Sequence, residues 1–201
     1  MAELTKYQRS LLNRLEAGTT SFITLRLADS LPRTVVTQMR AHLHQLKTAE
    51  QRLGPAELAR RRSRYFRHLD DMLDQVITGP SWLSRPEVAG AVQAGFHQPD
   101  GQDYELICYC IMPNHAHLIV FRPADAPLLA QTLQRLKSHT AAKANQQLRR
   151  EGAFWHPDSY ELEVRDGEEL QQALAYVLEN PVKAGLVTEW QKWPHSYWRD
   201  Q

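Results

Sequence analysis

The segment CIMPNHAHLIVF, residues 110–121, places two histidines, His115 and His117, inside a run of apolar residues. Side chains in a strand alternate between faces, so the two imidazoles would point the same way, about 7 Å apart along the chain, and Ala116 would point to the other face. Both rings could then bind one ion. Two histidines exposed on the open face of a sheet would give the same pattern, so the motif leaves both interpretations open.

A second pair of histidines with the same spacing, His42 and His44, occurs in the segment AHLHQ. This segment lies in a predicted helix, where residues i and i+2 do not face each other. The spacing therefore indicates a metal site at His115 and His117 rather than at the earlier pair.

The third ligand decides which ion such a pair of histidines could hold. Zinc usually takes another His, Cys or carboxylate, and Cys108 and Cys110 on the preceding predicted strand leave a closed Cys/His zinc site open as an alternative. Two histidines with an oxygen ligand and remaining open positions suit Mg²⁺ or Mn²⁺, which can also hold a phosphate. The two cysteines are poorly placed for a disulfide and are predicted to be reduced, buried thiols.

A predicted helix near the C-terminus offers a nucleophile and an oxygen donor. In AYVLENPVKAGLV, Tyr176 and Asn180 stand four residues apart, so they share a helix face about 6 Å apart along the axis. Tyr176 could equally be a core or surface residue. Asn180 could be a helix C-terminal residue, because Pro181 is predicted to end the helix.

The elements that must position these residues follow from the spacing of apolar residues. Alternating runs predict strands at 21–28, 104–112, 115–121 and 159–164, with a tight Pro113-Asn114 turn between the middle two. Helical spacing predicts helices at 29–46, 55–77, 85–97, 128–150 and 166–180. The order is β, helices, β, β, α, β, α, which we interpret as β-α-β-β-α-β followed by a last helix, with a helical insertion at about residues 30–97. We therefore predict an α+β fold, a ferredoxin-like antiparallel sheet with its helices on one face.

Length and composition set limits on the class of protein. The 201 residues suit one domain, predicted over 1–201 with a tail at about 186–201, and 42% hydrophobic residues suffice for a sizeable core. No window of about 18 apolar residues occurs, so the sequence predicts no membrane span and a cytoplasmic location.

The net charge of +1 is lower than most nucleic-acid-binding domains carry, but the positive charge is unevenly distributed. Residues 128–150 contain Arg135, Lys137 and Lys143 and no acidic residue. The segment ARRRSRYFRH carries Arg61 and Arg64 among its five arginines. One basic side of the molecule is therefore predicted, although each block could equally be an ordinary solvated helix face.

Taken together, MPNHAHL and YVLENPVKAGLV resemble the single-tyrosine HUH transposases, specifically the REP-associated tyrosine transposase group. The segments FITLRLADSLP, LDDMLDQVITGPSWLSRPEVAGAV, LKSHTAAKANQQL and GAFW extend the resemblance from about residue 20 to residue 197. The stretch HPDSYELEVRD departs from the family pattern, because His156, Glu161 and Leu162 stand where Gln and Asp-His are common. The resemblance therefore implies nothing about DNA contacts in that stretch.

The resemblance implies that His115, His117 and Asn180 hold Mg²⁺ or Mn²⁺ and that Tyr176, on a C-terminal catalytic helix, is the nucleophile. It implies cleavage and rejoining of single-stranded DNA at REP-type hairpins through a 5′-phosphotyrosine intermediate. A domesticated REP-hairpin-binding protein with little or no cleavage activity is the alternative. The protein would act as a monomer or a homodimer.

Contacts to the DNA are expected from basic and aromatic side chains outside that cluster. Lys137, then Arg135 and Lys143, are the predicted phosphate contacts, and Arg61 and Arg64 would follow a duplex stem. Trp155 is interpreted either as a base-stacking platform or as a core tryptophan.

Overall fold

A computed structural model of the protein describes residues 18–49, 52–75 and 79–199. The described residues form a five-stranded antiparallel sheet in the order β4-β1-β3-β2-β5. The strands are β1 (Gly18–Arg26), β2 (Glu105–Ile111), β3 (His115–Pro123), β4 (Tyr160–Val164) and β5 (Ser196–Trp198). The first strand lies between β4 and β3, so the α+β class and the split β-α-β arrangement are confirmed.

Helices cover both faces of this sheet. They are α1 (Arg33–Ala49), α2 (Pro55–Gln75), α3 (Pro86–His97), α4 (Leu129–Leu148) and α5 (Gly167–Lys183), with 3₁₀ turns at Trp82–Ser84 and Trp190–Lys192. In β3, Leu118 and Val120 join the core shared with α3 and α4, whereas Ile119 and Phe121 join the core shared with α5. The expectation of helices on one face is wrong, because α5 has its own apolar stripe and covers the second face.

The helical insertion is shorter than predicted. Helices α1 and α2 pack on each other through a separate cluster that includes Met39, Tyr65 and Leu69. Helix α3 instead contributes Val92 and Phe96 to the core of the sheet. The predicted insertion of 30–97 therefore wrongly included α3, which is the crossover helix of the fold itself, because apolar spacing does not tell which core a helix joins.

The sequence predicted that Pro181 ends the last helix, and this prediction is wrong. Pro181 is buried in the final turn of α5, which continues to Lys183. The turn is closed beyond the proline, where the N–H of Ala184 donates to the carbonyl of Asn180 at 3.0 Å and Gly185 takes a left-handed φ of 69°. Asn180 therefore lies inside the helix rather than at its end.

The chain after α5 returns to the edge of the sheet. Strand β5 pairs with β2, the indole N–H of Trp193 donates to the carbonyl of Ile111 at 2.9 Å, and Arg199 forms an ion pair with Asp100 at 2.6 Å. A three-residue strand is too short to show alternation, so the sequence did not reveal it. Within the described segments, no helix is long and apolar enough to cross a lipid bilayer.

Two glycines of α3 give a matched test of its packing against α4. A Cβ at Gly95 would lie 2.2 Å from Cγ2 of Thr140, whereas a Cβ at Gly90 would meet no atom within 4 Å. Thr140 cannot give way, because its hydroxyl donates to the Leu136 carbonyl and accepts from the Trp155 indole. We expect Gly95→Ala to lower the free energy of unfolding by about 1–3 kcal/mol. Gly90→Ala should raise it by about 0.4–1 kcal/mol.

Urea unfolding of the two variants beside the parent protein measures both changes. Equal effects of the two substitutions would contradict the close approach of α3 and α4 at Gly95.

Candidate metal and nucleophile site

The two histidines of β3 lie fully buried on the face of the sheet that α5 covers. Their rings are 4.7 Å apart between centroids, and their Nε2 atoms are 3.0 Å apart. They face the same side of the sheet, as strand alternation predicts, and they are not exposed. The exposed-pair interpretation therefore does not fit, while the metal role itself stays a prediction.

The Nδ1 atom of each imidazole has a polar partner. In the β1–β3 register Thr24 lies opposite His117, and its hydroxyl oxygen is 2.9 Å from Nδ1 of that ring. Nδ1 of His115 is 2.6 Å from Oδ1 of Asn114, whose amide nitrogen donates to the Leu73 carbonyl of α2 at 2.7 Å. These bonds aim both Nε2 atoms at the same point.

Burial controls the charge of this cluster. It lowers the pKa of His115 to about 3, and burial together with the neighbouring ring lowers the pKa of His117 well below its usual value. Both imidazoles are therefore neutral at pH 7, which is the form that binds a metal. Asp74 of α2 lies 3.9 Å from Nε2 of His115, and burial, with Asp71 nearby, raises the pKa of its carboxyl to about 6.

Helix α5 places Tyr176 against His117. Their ring centroids are 5.8 Å apart, and Phe22 of β1 contacts both rings, at 5.4 Å from His117 and 6.0 Å from Tyr176. The ammonium of Lys183 lies 4.6 Å from the centre of the Tyr176 ring. A phenol and a cation thus stand at the edge of the histidine pair, on one helix face.

Asn180 lies one turn beyond Tyr176 and is 1% exposed. Neither its Oδ1 nor its Nδ2 has a hydrogen-bond partner among the described residues. A buried amide without partners costs about 1–3 kcal/mol, so a protein keeps one only for a reason. An amide oxygen is a ligand that hard divalent ions accept, so the chemistry of this side chain suits the predicted ligand role, which stays a prediction.

A closed zinc site would need a third His, Cys or carboxylate ligand beside the histidine pair. The described residues contain no group of three His, Cys, Asp or Glu side chains arranged to hold a metal.

The two thiols lie on the same face of the sheet as the histidine pair, and Cys110 stands opposite His117 in the β2–β3 register. Cys108 and Cys110 are buried beneath α5, and the Cys110 sulfur contacts the sulfur of Met112 at 3.7 Å. Burial raises the pKa of the Cys108 thiol well above its usual value, which disfavours the thiolate that zinc binds.

The structure does not bring the predicted DNA-contacting side chains to this cluster. Three of them lie on α4, on the opposite face of the sheet from α5, and two lie on α2. Lys137 donates to the Pro157 carbonyl at 2.6 Å, Arg135 pairs with Asp103, Arg61 pairs with Glu57 at 2.9 Å, and Lys143 and Arg64 are exposed. Their DNA contacts stay a prediction.

Trp155 fits the second of its two interpretations. It is 5% exposed within the core formed with α3 and α4, and its indole N–H donates to the Thr140 hydroxyl at 2.8 Å. A ring in this position offers no face to a base, so the base-stacking expectation is wrong.

Sequence reasoning missed Thr24, Asn114, Asp74 and Lys183 as members of the site. Lys183 stands seven residues after Tyr176, so helical periodicity alone could have placed it on the same face. Thr24 and Asp74 reach the site only through the β1–β3 register and the position of α2, which local patterns do not give.

Comparison with known proteins finds a likeness to a curated protein and to a solved structure. A curated protein of Haemophilus influenzae, provisionally named a REP-associated tyrosine transposase, is 30% identical over 102 residues, which are 46% of this chain and 58% of that protein. A solved structure of a REP-associated tyrosine transposase bound to a REP hairpin matches with a TM-score of 0.50 and 17% identity over 98% of this chain and 82% of that one. No family model matches the chain.

The buried histidine pair makes the stability of the fold sensitive to acid. The pKa of both rings is lower in the folded protein than the ordinary value near 6.5, so the unfolded chain binds more protons below that pH. Their contribution is complete above about pH 6.5. It falls by roughly 1 kcal/mol per pH unit for each ring as the pH drops below that value, because only the unfolded chain takes up these protons.

Urea unfolding at several pH values between about 7.5 and 5 checks this slope. Replacing His115 and His117 together by Gln should remove this loss and leave the opposite contribution of Asp74, whose raised pKa makes the folded chain bind more protons below about pH 6. A parent protein that loses no more stability than this variant as the pH falls would contradict the buried, neutral pair.

A substitution of Asn180 should change the stability of the fold and the binding of the ion in opposite directions. Asn180→Leu removes a buried amide without hydrogen bonds and adds apolar volume, so we expect the free energy of unfolding to rise by about 1–3 kcal/mol. The same change should abolish Mn²⁺ binding measured by calorimetry. Asn145→Leu on α4 is the control, because its amide is bonded to Gly152 and Arg150, and it should lower stability and leave Mn²⁺ binding intact. A less stable Asn180→Leu protein that still binds Mn²⁺ would contradict the ligand role.

Proposed function

We propose, from an assignment to the REP-associated tyrosine transposases that both likenesses support, that this chain binds REP-type DNA hairpins and cleaves and rejoins single-stranded DNA beside them. The aligned part spans 58% of the curated relative, so activity and substrate are inferred for this chain from its own residues. The enzyme class proposed is a divalent-metal-dependent, single-tyrosine HUH transposase.

The observation that carries the proposal is the contact between His117 and Tyr176, with ring centroids 5.8 Å apart beside the His115–His117 pair. A tyrosine at the surface of an ordinary core does not stand next to two buried, neutral imidazoles with converging nitrogens. The orphaned amide of Asn180 on the same helix adds an oxygen donor. His115, His117 and Asn180 are thus proposed to hold Mg²⁺ or Mn²⁺.

A bound divalent ion would supply charge neutralisation and orientation of the scissile phosphate. The chain supplies the nucleophile. The Tyr176 oxygen attacks phosphorus, forms a phosphotyrosine bond on the 5′ side and breaks the bond to the 3′ oxygen. The phenol gives up one proton and the departing 3′ oxygen gains one, so the step is balanced. Rejoining is the reverse attack by a 3′-hydroxyl and needs no nucleotide, because the ester bond is conserved.

The surroundings of Tyr176 suit an anionic substrate. Lys183 places a positive charge 4.6 Å from the ring centre, which favours the approach of an anionic phosphodiester. Single-stranded DNA is proposed at the cleavage point, because the phenol and the ion must both reach one backbone phosphate.

Tyr176→Phe tests the proposal directly. The variant keeps the ring that packs against Phe22 and His117 but lacks the attacking oxygen. We expect it to form no covalent adduct with labelled REP-type hairpin DNA in Mn²⁺, observed on a denaturing gel. Its affinity for the hairpin should stay within about threefold of the parent value, because the ring and charges remain.

Tyr197→Phe on β5 is the matched control, since it removes a phenol remote from the histidine pair, and it should form the adduct normally. A parent protein that binds the hairpin tightly and forms no adduct would overturn the nuclease proposal. That result would favour a domesticated hairpin-binding protein.

A further inference from the structure

The hydrogen bonds around the histidine pair fix where each ring proton lies. The Leu73 carbonyl can only accept, so the atom of Asn114 that bonds to it at 2.7 Å is the amide nitrogen. The amide oxygen of Asn114 therefore faces Nδ1 of His115 at 2.6 Å, and this nitrogen must donate. A neutral His115 then carries its proton on Nδ1 and has a lone pair on Nε2.

The second ring must take the opposite form when no cation is bound. Nε2 of His115 presents a lone pair to Nε2 of His117 at 3.0 Å, and two facing lone pairs at that distance would repel. A hydrogen bond forms only if Nε2 of His117 carries the proton. Nδ1 of His117 is then unprotonated, and the Thr24 hydroxyl donates to it at 2.9 Å. Every polar atom in this chain of bonds is satisfied.

A bound cation requires a different arrangement at one ring only. Both Nε2 atoms must offer lone pairs to an ion, so the proton of His117 must move to Nδ1. His115 already has the required form. The new N–H of His117 needs an acceptor, and the Thr24 oxygen lies 2.9 Å from Nδ1. A hydroxyl can turn from donor to acceptor, which the carbonyl oxygen of Asn114 cannot do.

We propose that Thr24 is a positioning residue whose hydroxyl reverses its hydrogen bond to let His117 change tautomer when the divalent ion binds, while Asn114 holds His115 in one tautomer throughout. This inference rests on the proposed metal site. It assigns different tasks to two histidines that the motif presents as equivalent.

Mn²⁺ affinity, measured by calorimetry on the full chain, tests the role of the hydroxyl. Thr24→Val keeps the size and branching of the side chain but removes the hydroxyl that would accept from the metal-bound form of His117. We expect Mn²⁺ affinity to fall about 10–100-fold. Thr24→Ser restores the hydroxyl and should bind within about threefold of the parent.

Thr20→Val is the matched control. Thr20 is also buried in β1, but its hydroxyl has no hydrogen-bond partner among the described residues, so its loss should not alter Mn²⁺ affinity. Equal affinities of Thr24→Val and the parent protein would overturn the inference, as would equal losses in Thr24→Val and Thr20→Val.

Nitrogen-15 NMR of the histidine rings in the parent protein tests the proton positions without any variant. In the metal-free protein we expect protonated Nδ1 in His115 and protonated Nε2 in His117. Saturation with Mg²⁺ should move the His117 proton to Nδ1 and leave His115 unchanged. A protonated Nδ1 on His117 before Mg²⁺ is added would overturn the inference.

These outcomes are separable from those of the proposed function. Absence of any DNA adduct in the parent protein would overturn the nuclease but not the tautomer switch, if Mg²⁺ still moves the His117 proton. An adduct that forms normally in Thr24→Val at low Mn²⁺ would overturn the switch and leave the nuclease standing.

Discussion

The site depends on hydrogen bonds at the Nδ1 atoms of two fully buried imidazoles. A polar ring loses several kcal/mol of hydration when it enters an apolar core without partners, so His115 and His117 are tolerable in this position only because each Nδ1 is bonded. Both bonds come from outside β3. One depends on the register with β1, and the other on the turn before β3 and on the end of α2. The geometry of the pair is therefore a property of the whole fold rather than of the motif.

Helix α5 completes the site at a cost to stability. Its apolar stripe, which includes Leu174 and Val177, packs on the same strands that carry the histidines. The same helix buries Asn180 without a hydrogen-bond partner among the described residues, next to a proline in its last turn. The buried amide without partners and the proline inside the helix each lower the stability of α5. Departures of this kind concentrate where a protein needs a function more than it needs stability.

The sequence was sufficient for the features that local periodicity encodes. Alternation gave the strands and the shared face of His115 and His117, and helical spacing put Tyr176 and Asn180 on one side of a helix. Sequence reasoning failed where contacts between distant parts of the chain decide the structure. The same apolar spacing served α3 in the main core and α2 outside it, and Trp155 in GAFW could not be assigned to core or surface. Thr24 looked like any other β-branched strand residue until the register set it opposite His117.

The turn before His115 explains why the helical insertion belongs to the site. Its backbone is held on one side by the Leu27 N–H, which donates to the Asn114 carbonyl at 2.9 Å, and on the other by the Leu83 N–H, which donates to the Pro113 carbonyl at 3.1 Å. The Leu73 carbonyl then fixes the Asn114 side chain. Leu73 lies in the last turn of α2, where helical carbonyls have no partner within the helix and must find one elsewhere. The Leu73 carbonyl orients the Asn114 amide by accepting from its nitrogen. The amide oxygen of Asn114 then accepts from Nδ1 of His115, so the proton of this ring lies on Nδ1 and Nε2 keeps its lone pair. A helical pair packed outside the main core thereby determines which nitrogen of a β3 histidine can bind an ion.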